Sequence, residues 1–491
     1  MSFDNKLILL DDPVKRCMVT ITEQIKNSTT DSYCVPPVAI TSMARSGKTT
    51  LLKSIFNKIL EKKNFNPILV SFNGNDGFEQ RKGENQKQAF LRCVTTSLLY
   101  EKGQQPTLTV DETQLEEYLA KSPKPIVLLI DELNRQVDPP VAKLLRQMFL
   151  DKPQRYLCFT TNWFLNLHQT AGKTSTAAPS PRGTIFVHPP QTQSAEQIKK
   201  VMGTYKDNVT SVKVASCIGS VGLVVSIYGR LRYRPKQAFN RAKENIKSFP
   251  LEPFVEEFCT GRRDNPTAMN VFDIFTTRIG DGDIIWPICF AREFLNASKQ
   301  TSLCNFIEYA ESAVTPPSEG TGLPWEYVVR VGIGMVALRS TFRQLSFTQA
   351  KAIGMPLSWG TSHGFHIVQL PNDMKDLAGA KKHIIDYVKD ISVTCPCFVL
   401  AYPTHGQFEV FDTITCFSQS KDKFNFTGQQ MKHGCSVPTK DPPFLGVRIR
   451  GFAPDSPTKP TKSKKWRYLS LPEIKDFLPL SLHALIPSEW E

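Results

Sequence analysis

The sequence predicts an α/β protein: a parallel sheet with helices on both faces, then a helical segment, then a smaller α/β unit. Three observations predict it. The apolar segment Val38–Thr41 runs into Gly47-Lys48-Thr49 and then into a helical pattern of Leu51, Leu52, Ile55, Phe56 and Ile59. The unbroken run Pro125–Ile130 ends in Asp131-Glu132, as expected for a central strand covered on both faces. A Pro/Ser/Gly-rich stretch, Thr315–Pro324, then divides the chain.

Strand, G-K-T turn and helix form the arrangement that cradles phosphates. Backbone N–H groups and the helix N-terminus face the anion, Lys48 reaches the outer phosphates, and the Thr49 hydroxyl can ligate Mg²⁺. Ser42, Ser46, Gly47, Lys48, Thr49 and Thr50 are therefore the expected nucleotide-binding residues, although Ser42 stands where the motif has its first glycine. Asp131 ends its strand where Mg²⁺ must be held, and Glu132 is placed to polarise an attacking water. This spacing predicts a P-loop NTPase core over 36–192.

The flanking pattern agrees. Pro67–Phe72 and Arg155–Thr161 read as strands, with helices near Lys87–Tyr100, Gln114–Lys121 and Val141–Leu150. Thr160, Thr161 and Asn162 end the strand after the acidic one; Thr161 and Asn162 are the candidate sensors of the terminal phosphate. No N-K-x-D pattern follows to recognise guanine, so ATP is the expected nucleotide. Thr184–His188 reads as an edge strand. Helical patterns over Val209–Tyr228 and Pro235–Lys247 form an expected lid or connector, 193–314. Its arginine cluster, with Arg234, is a candidate to reach the terminal phosphate when the lid closes, the alternatives being a solvated basic turn or a nucleic-acid contact.

In the last segment, 315–491, Glu326 opens an apolar helix. Strands are expected at His366–Leu370, Cys397–Tyr402, Phe408–Phe417, Lys423–Lys432 and Phe444–Phe452, with a helix near Ala378–Lys389. With period two, Gln430 and Lys432 share one strand face. If Asp412 on a neighbouring strand and Glu326 meet them, the cluster offers hard oxygen ligands for Mg²⁺ and an ammonium beside a phosphate. The bland alternative is a set of outward-facing polar residues on a twisted sheet.

Composition bounds these readings. The 491 residues carry 60 Lys+Arg against 46 Asp+Glu, a net charge of +14, which favours a polyanionic partner. The 12 cysteines are scattered, with only Cys395 and Cys397 close together, so reduced thiols in a core are expected rather than a zinc site. The apolar run Leu7–Leu10 is too short for a secretory signal, and no membrane association is expected. The basic run Pro457–Arg467 reads equally as a nuclear-import signal, a phosphate-contacting arm or a solvated loop.

The chain resembles the Crinkler family of effectors and the related retrotransposon hot spot proteins. The resemblance rests on Ser42–Thr49, Ile126–Glu132 and Phe159–Asn162, then on Pro324-Trp325-Glu326, Phe411-Asp412 and Gln430-Met431-Lys432. It implies a P-loop ATPase joined to a restriction-endonuclease-like PD-(D/E)XK domain, and hence an ATP-gated, metal-dependent DNA nuclease. Asp412, Gln430 and Lys432 map onto the D and (E/Q)-x-K positions, and Glu326 onto the helix glutamate, with Glu326 and Asp412 as metal ligands. A nuclear site of action, in a host after non-classical secretion, and possible homo-oligomers belong to the same expectation, with the cytoplasm as the alternative location. Gln430 where glutamate is commoner, the loop-like 433–443 and the lack of an L-F-L-A-K-type header depart from the family pattern. They leave open a non-nucleolytic ATPase switch whose second domain binds nucleic acid or a protein partner.

Overall fold

The computed structural model describes residues 10–28, 35–43, 45–72, 81–100, 111–133, 139–161, 184–190, 220–228, 234–244, 250–263, 272, 275–279, 283–311, 323–357, 359–360, 362–374, 376–390, 392–403, 411–432, 446–450, 466–469, 473 and 475–483. The chain divides into two compact units. The first comprises Met1–Gln191, Ser220–Ser226 and Asp264–Ile279; the second comprises Thr192–Gly219, Ile227–Arg263 and Gly280–Glu491. Two short downstream segments thus join the first unit.

The first unit is built on β1 (Val38–Thr41), β2 (Asn66–Ser71), β3 (Ile126–Asp131), β4 (Arg155–Thr161) and β5 (Ile185–Val187), in the order β2-β3-β4-β1-β5. Every pairing is parallel. Alternation along β3 explains its unbroken apolar sequence. Ile126, Leu128 and Ile130 enter one core, whereas Val127 and Leu129 enter the core on the opposite face. A strand covered on both faces has no solvated side and so no place for an alternating polar residue.

Helices α1 (Asp11–Asn27) and α2 (Lys48–Lys62) line one face. Their Cys17, Met18, Ile21 and Ile25, and Leu51, Leu52, Ile55 and Ile59, fill the core beneath Val38 and Ile40. From sequence, 1–35 is expected only as an N-terminal segment, and α1 lies within it. The spacing of Cys17, Ile21 and Ile25 carried the helical signal, but α1 has no side-chain N-cap to mark its start. Helices α3 (Gln86–Tyr100), α4 (Glu112–Ala120) and α5 (Pro139–Leu145) serve the other face, with Arg146–Leu150 continuing as a π-helical turn. Asp111 opens α4 through a capping box with Gln114. The downstream segments contribute the start of α6 (Val221–Tyr228) and β6 (Thr277–Ile279). The predicted helix from Val209 is described only from Val221; 209–219 lie outside the described residues.

The second unit carries α7 (Pro235–Glu244), α8 (Leu251–Thr260), β7 (Asp283–Ile285), α9 (Ile288–Ala297), α10 (Thr301–Glu311) and α11 (Leu323–Ser340). After them come α12 (Phe347–Ile353), β8 (Gly364–Gln369), α13 (Leu377–Lys389), β9 (Cys397–Tyr402), β10 (Thr413–Ser420) and β11 (Lys423–Lys432). The last elements are β12 (Gly446–Arg450), β13 (Trp466–Leu469) and α14 (Leu480–His483). Strands β8 to β13 form one mixed sheet, in the order β13-β12-β11-β10-β9-β8. Its centre is antiparallel, β9-β10-β11, and its flanks are parallel. Helix α13 covers one face, placing Ala380, Ile384 and Val388 against Val399, Ala401, Ile414 and Cys416. A separate aromatic cluster joins α8 and α9: Phe254 stacks on Phe294 at 4.1 Å and meets Trp286 edge-on at 4.8 Å.

Two sequence boundaries shift. Helix α11 begins at Leu323, inside the predicted linker, because proline is tolerated in the first turn of a helix. Of the predicted strand Phe408–Phe417, 408–410 lie outside the described residues, and β10 is described from Thr413. The carbonyl of Asp412 accepts from Arg330 instead of joining a ladder, so regular pairing starts one residue later. The nine cysteines among the described residues are all free. Burial pushes the Cys17, Cys259, Cys304, Cys397 and Cys416 thiols up to about 12, in keeping with packed, unreactive side chains. No described helix is long and apolar enough to cross a membrane.

Candidate nucleotide site

All five strands of the first unit's sheet run parallel, so their C-terminal ends share one edge of it. There β1 hands the chain to 42–47 and then to α2. The left-handed backbone demanded by this loop falls on Arg45 (φ 64°) and Gly47 (φ 95°), not on Ser42. A residue outside the left-handed region has no need of glycine, which is why serine is accommodated at Ser42. Gly47 is the N-cap of α2, and its carbonyl accepts from Leu51 N at 2.9 Å. The helix N-terminus is thus presented directly after the loop.

Lys48 folds back across the loop. Its Nζ donates to the carbonyls of Ser42 (2.9 Å) and Met43 (2.6 Å), and the residue is 6% exposed. Burial lowers its pKa to about 8, against the opposing pull of the Glu132 and Asp131 carboxylates. Thr49 sits half-buried, with Oγ1 donating at 3.0 Å to both oxygens of Asp131. Thr160 donates to Asp131 Oδ1 at 2.7 Å, and the same hydroxyl accepts from Glu132 N at 2.7 Å. Glu132 is held at φ 58°, a sparsely populated conformation for a residue with a side chain.

Strand β4 lies between β1 and β3 in the sheet. A strand is therefore inserted between the phosphate loop and the acidic strand, and its end carries Thr160 and Thr161 to the site. Thr161 is fully buried and in register with Thr41. Ser46 is buried and Thr50 exposed on the first turn of α2. Asn162 lies outside the described residues. Arg234 is exposed just before α7, in the second unit. Sequence reasoning missed His188, whose Nδ1 lies 2.9 Å from the Thr41 carbonyl; adjacency of β5 to β1 was the signal needed, and no local pattern carries it.

Parallel five-stranded sheet, phosphate loop, acidic strand and inserted β4 decide the fold. It is a P-loop NTPase fold. No protein-family model matches the sequence, and no curated protein matches it. Among solved structures, the chain is similar to a Walker-type ATPase of Pyrococcus abyssi, at 12% identity and TM-score 0.38, covering 58% of this chain and 95% of that one. It is also similar to Cdc6p of Pyrobaculum aerophilum, at 10% identity and TM-score 0.35, covering 68% and 88% respectively. The ORC2 protein of Aeropyrum pernix gives 10% identity and TM-score 0.31, covering 61% and 82%.

In the second unit, Asp412 lies against the end of β11. Its N–H donates to Gln429 O at 2.8 Å, and its Oδ2 accepts from Met431 N at 2.5 Å. Gln429 and Met431 are buried, whereas Gln430, on the opposite face of β11, is half-buried. Lys432 ends β11 in register with Arg450; its side chain lies outside the described residues. Glu326 approaches through an intermediary. Arg330, 2% exposed, donates from one nitrogen to Glu326 Oε2 (3.2 Å) and to Asp412 O (2.9 Å), and from Nε to Thr413 Oγ1 (3.2 Å). Its guanidinium also lies over the rings of Tyr327 and Tyr402, at 4.8 and 5.6 Å.

Glu326 and the Asp412 carbonyl therefore meet at a buried guanidinium, while the Asp412 carboxylate turns to the backbone of β11. No group of three or more metal-ligating side chains occurs among the described residues. Glu326 is ion-paired with Arg330, and Asp412 Oδ2 is held by the Met431 N–H. Arg330 escaped the sequence reading because an i,i+4 Glu–Arg pair on a helix is ordinarily a solvated surface pair.

Proposed function

We propose that the first unit binds and hydrolyses ATP with Mg²⁺. One observation carries this reading: the Thr49 hydroxyl spans both oxygens of Asp131 at 3.0 Å, beside a buried Lys48. A hydroxyl and a carboxylate in contact at the end of a phosphate loop are a hard-oxygen pair suited to Mg²⁺, so Thr49 and Asp131 would hold the ion. When bound, Mg²⁺ would neutralise charge on the phosphates.

The remaining steps belong to the chain. The Gly47 turn and the start of α2 direct backbone N–H groups to the phosphates. Lys48 supplies a mobile cation that exchanges loop carbonyls for phosphate oxygens. Glu132, fixed through its N–H to Thr160, orients the attacking water, and Thr160 and Thr161 report the terminal phosphate along β4. Hydrolysis of radiolabelled ATP tests the proposal. Turnover by the wild type, lost in Lys48→Ala and reduced in Glu132→Gln, is the expected result; no turnover by the wild type refutes it.

For the second unit, Arg330 favours the non-nucleolytic reading, in which ATP turnover switches a domain that binds nucleic acid or a protein partner. The +14 charge supports a nucleic-acid partner. The Crinkler-type, ATP-gated nuclease remains the competing proposal, supported by the approach of Asp412 to the Gln430–Lys432 strand end. Plasmid DNA incubated with protein, ATP and Mg²⁺ or Mn²⁺ separates the two. Intact plasmid is expected; nicking abolished by Asp412→Ala establishes the nuclease.

A further inference from the structure

The phosphate loop is gripped by two segments that arrive from far downstream. The first is the opening turn of α6. A Cβ placed on Gly222 would collide with Ser46 C, Ser46 O and Gly47 N, at separations far inside van der Waals contact. Those separations are too short for any carbon, so the backbone of α6 rests directly on the Ser46–Gly47 peptide. The turn is fixed where it stands: Ser220 Oγ accepts from Leu223 N at 3.2 Å, and Val221, Leu223 and Val224 are buried.

The second grip is at the other end of the loop. Ser42 Oγ and Thr277 Oγ1 lie 3.0 Å apart, and both residues are buried. Thr277 follows Phe272 and Phe275, which are buried, and Thr276, which donates to Phe272 O at 3.0 Å. The hydroxyl of Ser42, the residue that replaces the motif glycine, is therefore engaged by a partner 235 positions away.

We propose that Gly222 and Thr277 are positioning residues for the nucleotide phosphates. Neither needs to touch a phosphate. Gly47 at φ 95° belongs to a region where glycine moves freely, so the Ser46–Gly47 peptide can rotate unless something holds it. Gly222 blocks that rotation and keeps the loop N–H groups turned to the anion. Thr277 holds Ser42, whose carbonyl is one of the two acceptors of Lys48 Nζ, and so sets where the lysine rests. The inference depends on the ATP-binding reading of this loop.

The test is MgATP affinity and steady-state hydrolysis for the wild type, Gly222→Ala, Thr277→Val and Thr277→Ser, with thermal melts to check folding. Loss of positioning that serves ground state and transition state alike raises KM and leaves kcat nearly unchanged. Gly222→Ala is expected to raise KM by about tenfold or more, and Thr277→Val by roughly threefold. Thr277→Ser keeps the hydroxyl and is expected to restore wild-type KM. If Gly222→Ala fails to fold, Ser220→Ala, which loosens the turn that carries Gly222, is expected to raise KM in its place, and wild-type KM there overturns the role of Gly222. Wild-type KM in Thr277→Val overturns the role of Thr277, and wild-type KM in a folded Gly222→Ala overturns that of Gly222. Tighter binding or faster turnover in Gly222→Ala also overturns its role, since that is the signature of a contact that shuts the loop. A wild type that binds no ATP removes the functional reading and this one together.

Discussion

The two polar clusters of this protein use similar residues and reach opposite electrostatic solutions. Around the phosphate loop, Asp131 is satisfied by neutral hydroxyls, those of Thr49 and Thr160, while Lys48 rests on carbonyls. Charges of both signs are present there, yet none is cancelled by direct ion pairing among these contacts. In the second unit, Glu326 faces a buried arginine, and the same arginine holds the Asp412 carbonyl and Thr413. A site that must accept an anion and a metal keeps exchangeable neutral partners. A site that has closed on its own cation has satisfied its charge and gains little from another.

The largest effect should come from breaking the closed cluster. Arg330→Met leaves Glu326 without its cation and the Asp412 carbonyl without its donor, and is expected to cost about 3–5 kcal/mol of stability in denaturant titrations. Adding Glu326→Gln to that variant should recover part of the loss. A metal-loaded cluster would behave otherwise, with Mg²⁺ or Mn²⁺ stabilising Arg330→Met at millimolar concentration. The open cluster should be sturdier in fold and more fragile in activity: Lys48→Ala is expected to lower ATP turnover by about 10²-fold or more with a small change in melting temperature.

Thr160→Val sharpens the comparison at an intermediate scale. It removes one donor to Asp131 and strands the Glu132 N–H, costing roughly 1–3 kcal/mol of stability, and it should lower kcat more than it raises KM. The smallest effect is on pH dependence. Burial lowers the Lys48 pKa from its ordinary 10.5 to about 8, so between those values the unfolded chain binds more protons than the folded one. Stability from this group therefore rises with pH across that window. Nucleotide binding has the reverse dependence, because phosphates favour the charged lysine. MgATP affinity should fall above pH 8 by at most about tenfold per pH unit, with proton uptake on binding seen by calorimetry in buffers of different ionisation enthalpy. Lys48→Arg should abolish that slope, since arginine does not titrate in this range.

The legibility of the two regions differs for the same reason that their chemistry does. The phosphate loop and the acidic strand are local patterns: a few consecutive residues fix strand, turn and helix start, and the chemistry is carried by neighbours in sequence. The run Ile126–Asp131 could be read as a central strand because burial on both faces leaves a continuous apolar signature. The second cluster depends on α11 meeting the junction of Asp412 with β10, a contact across 82 positions, and nothing near either residue announces it. Helix α1 was hidden for a different, local reason: its apolar stripe lacked a capping signal.

By itself the sequence determined the strand–loop–helix of Val38–Lys62, the acidic strand ending at Asp131, the strand segments of β9, β10 and β11 and the candidate residues for ATP. It could do so because hydrophobic period and backbone preference act over a few residues. Only the tertiary structure decided that β4 is inserted beside β1, that Ser42 is paired with Thr277, that Gly222 rests on the Ser46–Gly47 peptide and that Arg330 occupies the space between Glu326 and Asp412. Each of these is a contact between residues distant along the chain. Such contacts are set by how whole elements pack, and packing responds to the summed shape of many side chains rather than to any local motif.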